Sequence, residues 1–304
     1  MTKQNPDYDS PWKEIIEIYF EEFMAFFFPK AHGKIDWSAG YTFMDKELQK
    51  VARDAETGRR VVDKLARITL LDGKEAFVLA HIEVQGQSET GFRKRMYVYN
   101  YRLFDNYGYK VASLAILTDN RKNWRPGQYG YKLFGCEVRL KFPIVKLLDY
   151  KERFEELQNN PSPFAIVVMA HLKAMETNKN PQSRLRWKVN LVKMMYERGY
   201  SKKDILELWR FIDWLMILPG KLELLFEKEI SEYKEENKMR YVTSIERRGI
   251  KKGEQQIISH LIKTRFGDYP EWVMKKINEA DTEKLLDWSE RLLSAETIEE
   301  IFEA

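Results

Sequence analysis

Residues 58–85, "GRRVVDKLARITLLDGKEAFVLAHIEVQ", contain the clearest strand pattern in the chain. Two runs rich in aliphatic residues flank Asp72-Gly73, and this pattern predicts two β-strands joined by a turn. Successive strand residues belong to opposite faces of a sheet. One face of the second strand is entirely apolar, so we expect it to lie under a helix. Its residues are Ala76, Val78, Ala80, Ile82 and Val84.

The other face of this strand is polar toward its end, where Glu83 and Gln85 follow Leu79 and His81. In the first strand, Asp63 interrupts an apolar run. A buried carboxylate costs free energy unless its charge is compensated. Mg²⁺ takes hard oxygen ligands, so one hypothesis is a metal site. The alternatives are an ordinary solvent-facing strand, a turn cap or ion pair for Asp63, and a structural role for His81.

The metal hypothesis makes a commitment about strand register. A two-residue turn at Asp72-Gly73 would place Val62 opposite Glu83, and Asp63 would face away from it. A three-residue loop over 72–74 would place Asp63 directly opposite Glu83. The hypothesis therefore requires the longer loop or a bulge.

The rest of the first half alternates helices and strands. Ser10 and Pro11 are suited to begin a helix that Pro29 ends. Residues 90–108 are predicted to be helical and residues 109–120 to form a buried strand. Residues 136–150 add a strand in which Pro143 requires an edge or a bulge. This order predicts an α/β fold with a mixed sheet flanked by helices.

The second half has helical periodicity almost throughout. Residues 247–253, "RRGIKKG", are interpreted as a turn before a last helical segment over 254–304. We divide the chain into a core over 1–150, a helical region over 151–245 and a small helical module over 246–304. The predicted helices of the middle region lie near 152–159, 163–176, 183–199, 202–217 and 220–238.

Composition narrows the classes of function. Charged residues make up 32% of the 304 residues and the formal net charge is only +4, which permits nucleic-acid binding through a local patch. Cys136 is the single cysteine, which excludes an intrachain disulfide. The first residues lack a signal-peptide layout, and the apolar run "FMAFFFP" is too short to span a bilayer. We expect a cytoplasmic protein without a membrane partner.

Two motifs carry a resemblance to a known family. "HIEVQ", residues 81–85, is preceded by Asp63 and followed by "FRKRMYVYNYR", residues 92–102. This combination resembles the PD-(D/E)XK nuclease superfamily, and within it the Rpn-like, transposase-like recombination-promoting nucleases. The similarity continues through "WRFIDWLMILPGKLELLFEKEI" and "MRYVTSIERRGIKKG". Residues 261–302 resemble a helical module of unknown function that often follows such nucleases.

The resemblance implies a restriction-endonuclease-like core with a divalent metal, Mg²⁺ or Mn²⁺. It implies that Asp63 and Glu83 ligate the metal together with the Val84 carbonyl. Gln85 stands where the superfamily usually has lysine. Glutamine can position water or phosphate, but it brings no charge to the site.

Further site residues follow from the same resemblance. Glu47 is the first candidate for an additional acidic residue, with Glu17 and Glu21 as alternatives. From the chemistry of cleavage, Arg95 could stabilise charge on the phosphate. Tyr99, four residues further along the same helix face, could hydrogen-bond a motif carboxylate or the backbone phosphate. Five tyrosines between 97 and 109 suggest either base stacking or core packing, and packing is the commoner role.

The expected function is a metal-dependent DNA endonuclease linked to recombination or mobile elements. Cleavage of both DNA strands would require two active sites, which suggests a homodimer. The alternative is a catalytically weak or inactive nucleic-acid-binding or protein-interaction module on a nuclease fold. A purely structural scaffold would account for the helical half, but not for the carboxylates in the strands.

Overall fold

The computed structural model describes residues 9–54, 62–83, 91–236, 243–280, 282–292, 295 and 297–302. The fold is α/β, with a five-stranded mixed sheet flanked by helices and a helical C-terminal half, as the sequence predicted. The chain forms two compact units, Met1–Tyr233 and Lys234–Ala304. For Glu47, Asp63, His81 and Glu83 only the backbone is described.

The strands among the described residues form one five-stranded sheet and one hairpin. The large sheet has the order β1-β2-β3-β4-β7, and β5 pairs with β6 alone. The pairs β1/β2 and β2/β3 are antiparallel, whereas β3/β4 and β4/β7 are parallel. The strands are β1 (Tyr41–Phe43), β2 (Val62–Thr69), β3 (Glu75–Glu83), β4 (Lys110–Leu117), β5 (Gln128–Leu133), β6 (Cys136–Lys141) and β7 (Ile144–Lys146).

Helices account for most of the remaining described residues. In the first half they are α1 (Asp9–Ile18), α2 (Phe20–Phe27), α3 (Pro29–His32), α4 (Asp45–Asp54) and α5 (Phe92–Tyr107). In the second half they are α6 (Phe154–Asn159), α7 (Pro163–Glu176), α8 (Pro181–Glu197), α9 (Lys202–Leu215), α10 (Gly220–Glu236), α11 (Thr243–Phe266), α12 (Glu271–Glu279), α13 (Thr282–Arg291) and α14 (Ile298–Phe302). The five predicted helices of the middle region are confirmed as α6 to α10.

The turn between β2 and β3 corrects the predicted register. The loop has three residues, but it spans 71–73 rather than 72–74, since Leu70 N donates to Lys74 O at 2.8 Å. Gly73 takes the left-handed position of the loop with φ 79°, which glycine adopts without steric cost. Asp63 consequently lies opposite His81, and the predicted direct pairing of Asp63 with Glu83 is wrong.

The two faces of the sheet are covered by different helices. Leu65 and Leu79 are buried in one cluster with Leu48 of α4 and Tyr99 of α5. The opposite face includes Ala66, Val78 and Ala80, all buried, and α1 packs against β2. The prediction that the apolar face of β3 is covered is therefore confirmed.

The direction of α5 determines which end of the sheet its first turns contact. β3 and β4 are parallel, so α5 runs back along the sheet between them. Its N-terminal residues Phe92 and Met96 pack with Ala115 and Leu117, the last buried residues of β4. The N-terminal end of α5 therefore lies at the end of the sheet where β3 and β4 finish.

The first predicted helix is divided in the structure. Tyr19 leaves helical geometry with φ −126° and ψ 46°, and it separates α1 from α2. Its hydroxyl donates to Asp204 of α9 at 2.7 Å, and burial raises the Tyr19 pKa first, followed by this carboxylate. Pro29 follows the end of α2 and occupies the first turn of α3, where its missing N–H costs nothing.

In the helical half, α7 is central. All residues from Phe164 to Leu172 are buried, and the helix packs against α8 and α9. A helix that is apolar on all sides has to be surrounded by others. Among the described residues, no helix combines the length and apolar character needed to cross a bilayer.

The unit Lys234–Ala304 has its own core. Ile262 and Val273, both fully buried, lie in a cluster with residues of α11 to α14. The interpretation of residues 247–253 as a turn is wrong, because they belong to α11. The helix tolerates its internal glycines and ends before Gly267, whose φ of 80° suits a helix C-terminus.

Candidate metal centre

Asp63 and Glu83 belong to the same series of alternating strand positions. Asp63 lies opposite His81, and Glu83 is two residues further along β3, so the two acidic residues are diagonal neighbours. Diagonal neighbours on one face of an antiparallel pair are about 7 to 8 Å apart. The corrected register thus removes the direct pairing but keeps both positions on one face.

The donor set suits a hard divalent cation. Carboxylate oxygens are ligands that Mg²⁺ and Mn²⁺ accept, and positions 63 and 83 both carry a carboxylate. The predicted Val84 carbonyl and Gln85 lie outside the described residues. No group of three or more His, Cys, Asp and Glu side chains in the described part of the chain is arranged to hold a metal ion.

Helix α5 brings Arg95 and Tyr99 to the same side of the sheet. Tyr99 is 2% exposed and packs with Leu65 and Leu79. Arg95 is half-buried one helical turn closer to the N-terminus, and its guanidinium lies 5.6 Å from the centre of the Phe92 ring. Arg95 therefore lies toward the end of the sheet that contains position 83, whereas Tyr99 belongs to the core.

Helix α4, which contains Glu47, packs on this face of the sheet as well. Its neighbour Leu48 is buried against Leu65. The two alternative acidic residues have other partners: Glu17 accepts from Lys64 at 2.7 Å, and Glu21 lies 3.7 Å from His32.

Lys64 is a buried cation on the face of the sheet opposite to position 63. Its ammonium group contacts Asp45 at 2.5 Å in addition to Glu17. The side chain is only 4% exposed, and two carboxylates compensate its charge. Glu17 therefore contacts a residue on the face of the sheet that does not include Asp63.

A second buried ion pair lies at this end of the sheet, and the sequence analysis missed it. Lys146 is in register with Leu117, which is in register with Glu83. The Lys146 ammonium donates to Asp119 at 2.5 Å, and the two side chains are 0% and 5% exposed. Neighbouring strands are about 4.8 Å apart, so Lys146 is roughly 10 Å from position 83. A charged residue within the apolar run "FPIVKLL" was the available signal.

Further polar contacts hold Asp119 and the end of β4 in place. Asp119 also accepts from the backbone N–H of Arg121 at 2.9 Å, and the Arg121 guanidinium lies 4.7 Å from the centre of the Trp124 ring. His171 of α7 contacts the Thr118 carbonyl through Nε2 at 3.0 Å. Since a carbonyl only accepts, Nε2 carries the proton. Burial lowers the His171 pKa to about 4, so the ring is neutral at physiological pH.

The chain was compared with protein-family models, with curated proteins and with solved structures, and none of the three comparisons gave a match.

Proposed function

We propose that this protein is a metal-dependent DNA endonuclease whose centre is formed by Asp63 and Glu83. The observation that carries the proposal is the placement of both acidic residues on one face, at the end of the two central strands. The mixed sheet flanked by helices is the architecture expected of such a core. The motif resemblance around residues 81–85 supports the same function.

The residues of the site have separate roles in this proposal. Asp63, Glu83 and the Val84 carbonyl hold Mg²⁺ or Mn²⁺. The bound ion would lower the pKa of a water molecule and polarise the scissile phosphate. Gln85 orients water or phosphate, and Glu47 provides a further acidic group from α4.

Residues of α5 support the reacting phosphate and the sheet. Arg95 donates hydrogen bonds to the phosphate oxygens, where charge builds up during in-line attack. Tyr99 is buried in the core, so its role is to fix α5 on the sheet. With one such centre per chain, cleavage of both strands requires a homodimer, and we place this activity in recombination of DNA.

A second candidate function is DNA or protein binding without turnover. It is favoured by Gln85, which brings no positive charge to the position usually held by lysine. Lys146, the buried lysine in register with Leu117 and Glu83, already forms an ion pair with Asp119.

The first experiment measures nicking of supercoiled plasmid with Mg²⁺ or Mn²⁺. We expect the parent protein to nick and both Asp63→Ala and Glu83→Ala to lose the activity. Asp105→Ala removes an exposed carboxylate from the last turn of α5 and is the matched control, which should nick like the parent.

The ligand variants should remain folded. Removing one carboxylate relieves repulsion between the two acids in the metal-free site. Nicking that survives both substitutions would place the activity elsewhere. A folded parent protein that binds plasmid but does not nick it with either metal would support the binding module.

A further inference from the structure

The β5–β6 hairpin is an exposed ribbon beside the candidate centre. Its base, Gly127 and Phe142, is joined by a backbone hydrogen bond of 3.0 Å. Phe142 packs with Ala115 and Leu117 at the end of β4. Only Tyr129, Val138 and Leu140 of the hairpin are half-buried, and its other residues are exposed. An isolated two-stranded hairpin is marginally stable, so contacts with the body must hold it.

Those contacts are aromatic. The Tyr97 ring of α5 stacks on Tyr129 of β5, with ring centres 5.0 Å apart and planes at 26°. Tyr97 also contacts Tyr101 at 5.4 Å and Tyr131 at 6.5 Å. Two of the five tyrosines between 97 and 109, Tyr97 and Tyr101, therefore lie on the outer surface of α5 and support the ribbon.

The tip of the ribbon has an unusual residue. Leu133 pairs with Cys136, which leaves a two-residue turn of Phe134 and Gly135. Both turn residues have positive φ, 49° and 85°, as a type I′ turn requires. Asparagine is the residue that usually precedes glycine in such a turn, and a bulky residue is strained there.

Packing does not compensate this strain. The Phe134 side chain is 101% exposed, so it gains no burial within the chain. The backbone strain at Phe134 is therefore not offset by burial of its ring. The turn requires this conformation but not a phenylalanine, since asparagine adopts it at lower cost, so the side chain at 134 is a reason to look for a role in binding.

The charges around the ribbon indicate the partner. Residues of α5 and of the hairpin include seven Lys or Arg and two Asp or Glu, whereas the whole chain has a net charge of only +4. A second copy of the chain would bring the same positive surface and be repelled. A polyanion is attracted, and a groove of duplex DNA admits a two-stranded ribbon.

We propose that the β5–β6 hairpin is a DNA-binding arm that lies in a groove of duplex DNA and stacks Phe134 against a base step. Arg139 and Lys141 contact the phosphates, whereas the Lys132 ammonium forms an ion pair with Glu137 at 2.9 Å across the hairpin. Apolar side chains inserted between base pairs partly unstack them and kink the duplex. This proposal rests on the proposed function, because it takes DNA to be the substrate. It adds the surface of the protein that binds the DNA.

The test uses the full chain and a short random-sequence duplex in EDTA, so that metal-dependent cleavage does not intervene. Fluorescence anisotropy of a labelled duplex gives the affinity, and a 2-aminopurine base reports unstacking. We expect Phe134→Asn to bind about tenfold more weakly and to lose the 2-aminopurine signal. Phe134→Trp should retain both.

Two further variants complete the design. Leu71→Asn changes another exposed apolar residue, 68% exposed in the β2–β3 loop, and should bind like the parent. Replacing Arg139 and Lys141 together by Gln should lower the slope of log affinity against log salt by about two. Asparagine suits the turn, and thermal unfolding shows whether Phe134→Asn is folded.

Unchanged DNA affinity and an unchanged 2-aminopurine signal in folded Phe134→Asn would contradict the proposal that the hairpin is a DNA-binding arm. A parent dimer that dissociates in Phe134→Asn while DNA affinity is retained would overturn it in favour of a self-association surface. Phe134-dependent binding to phosphatidylserine vesicles, without DNA binding, would overturn it in favour of a membrane surface.

Failure of the arm and failure of the nuclease are distinguishable. Asp63-dependent nicking with Phe134-independent DNA binding would reject the arm and keep the nuclease. Phe134-dependent DNA binding without nicking in either metal would keep the arm and reject the nuclease.

Discussion

The ion pairs at the two ends of the five-stranded sheet differ in how deeply they are buried. At the end where β2 turns into β3, Asp72 accepts from the Lys74 ammonium at 2.6 Å, and both side chains are exposed. At the opposite end, Lys146 and Asp119 form an ion pair that is almost completely buried. The partners are two residues apart at the first end and 27 apart at the second.

This difference separates a structural end from a candidate functional end. Exposed pairs contribute little to stability, because water solvates the charges as well as the partner does. Buried pairs must compensate a large desolvation cost, so they are retained only where the tertiary structure supplies good geometry. Asp63 and Glu83 lie at the end that contains the buried charges.

The largest effect is expected for Lys146→Met. It leaves the buried Asp119 carboxylate without its ammonium partner, and the free energy of unfolding should fall by about 3 kcal/mol. Urea unfolding followed by tryptophan fluorescence measures the loss. Combining Lys146→Met with Asp119→Asn should restore part of the lost stability, because the buried carboxylate charge at position 119 is then removed.

The matched control is Lys74→Met at the exposed end, for which we expect no measurable change. Equal losses for Lys74→Met and Lys146→Met would remove the distinction between the two ends. A Lys146→Met protein as stable as the parent would show that Arg121, whose Nε donates to Asp119 at 3.3 Å, compensates the carboxylate without Lys146.

The second effect concerns pH and His171. Its pKa is about 4 in the folded chain, below the ordinary 6.5, so the unfolded chain binds a proton first as pH falls. The contribution of neutral His171 is complete above pH 6.5. It is lost as pH decreases toward 4, by up to roughly 3 kcal/mol in total.

Unfolding measured across this pH range tests the effect of His171. His171→Gln keeps an N–H donor for the Thr118 carbonyl but cannot titrate, so its stability should fall less steeply with acid. Parallel curves for the parent and His171→Gln would contradict the prediction.

The smallest effect is expected for Gly73→Ala at the turn end. An L-residue is strained at φ 79°, so the free energy of unfolding should fall by about 1 kcal/mol. Gly33→Ala, at a glycine with φ −68°, is the control and should be tolerated. A Gly73→Ala protein as stable as its Gly33→Ala counterpart would mean that this turn does not fix the register.

Local sequence patterns predicted most elements, and the errors have identifiable causes. Strand β1 has only three residues, too few to show a period. Strand β5 does alternate, with Tyr129, Tyr131 and Leu133 on one face, and the adjacent glycines hid this short strand. The turn-like 247–253 was misjudged because glycine in a long helix is unfavourable but tolerated.

Strand alternation, which is strictly local, is enough to put Asp63 and Glu83 on one face, given a three-residue loop. Local patterns also indicate the α/β class and the helices α6 to α10. Tertiary structure, in contrast, sets Asp63 opposite His81, because the register depends on which residue takes the left-handed position of the turn. It alone joined Lys146 to Asp119, since a pairing over 27 residues is fixed by strand order and burial.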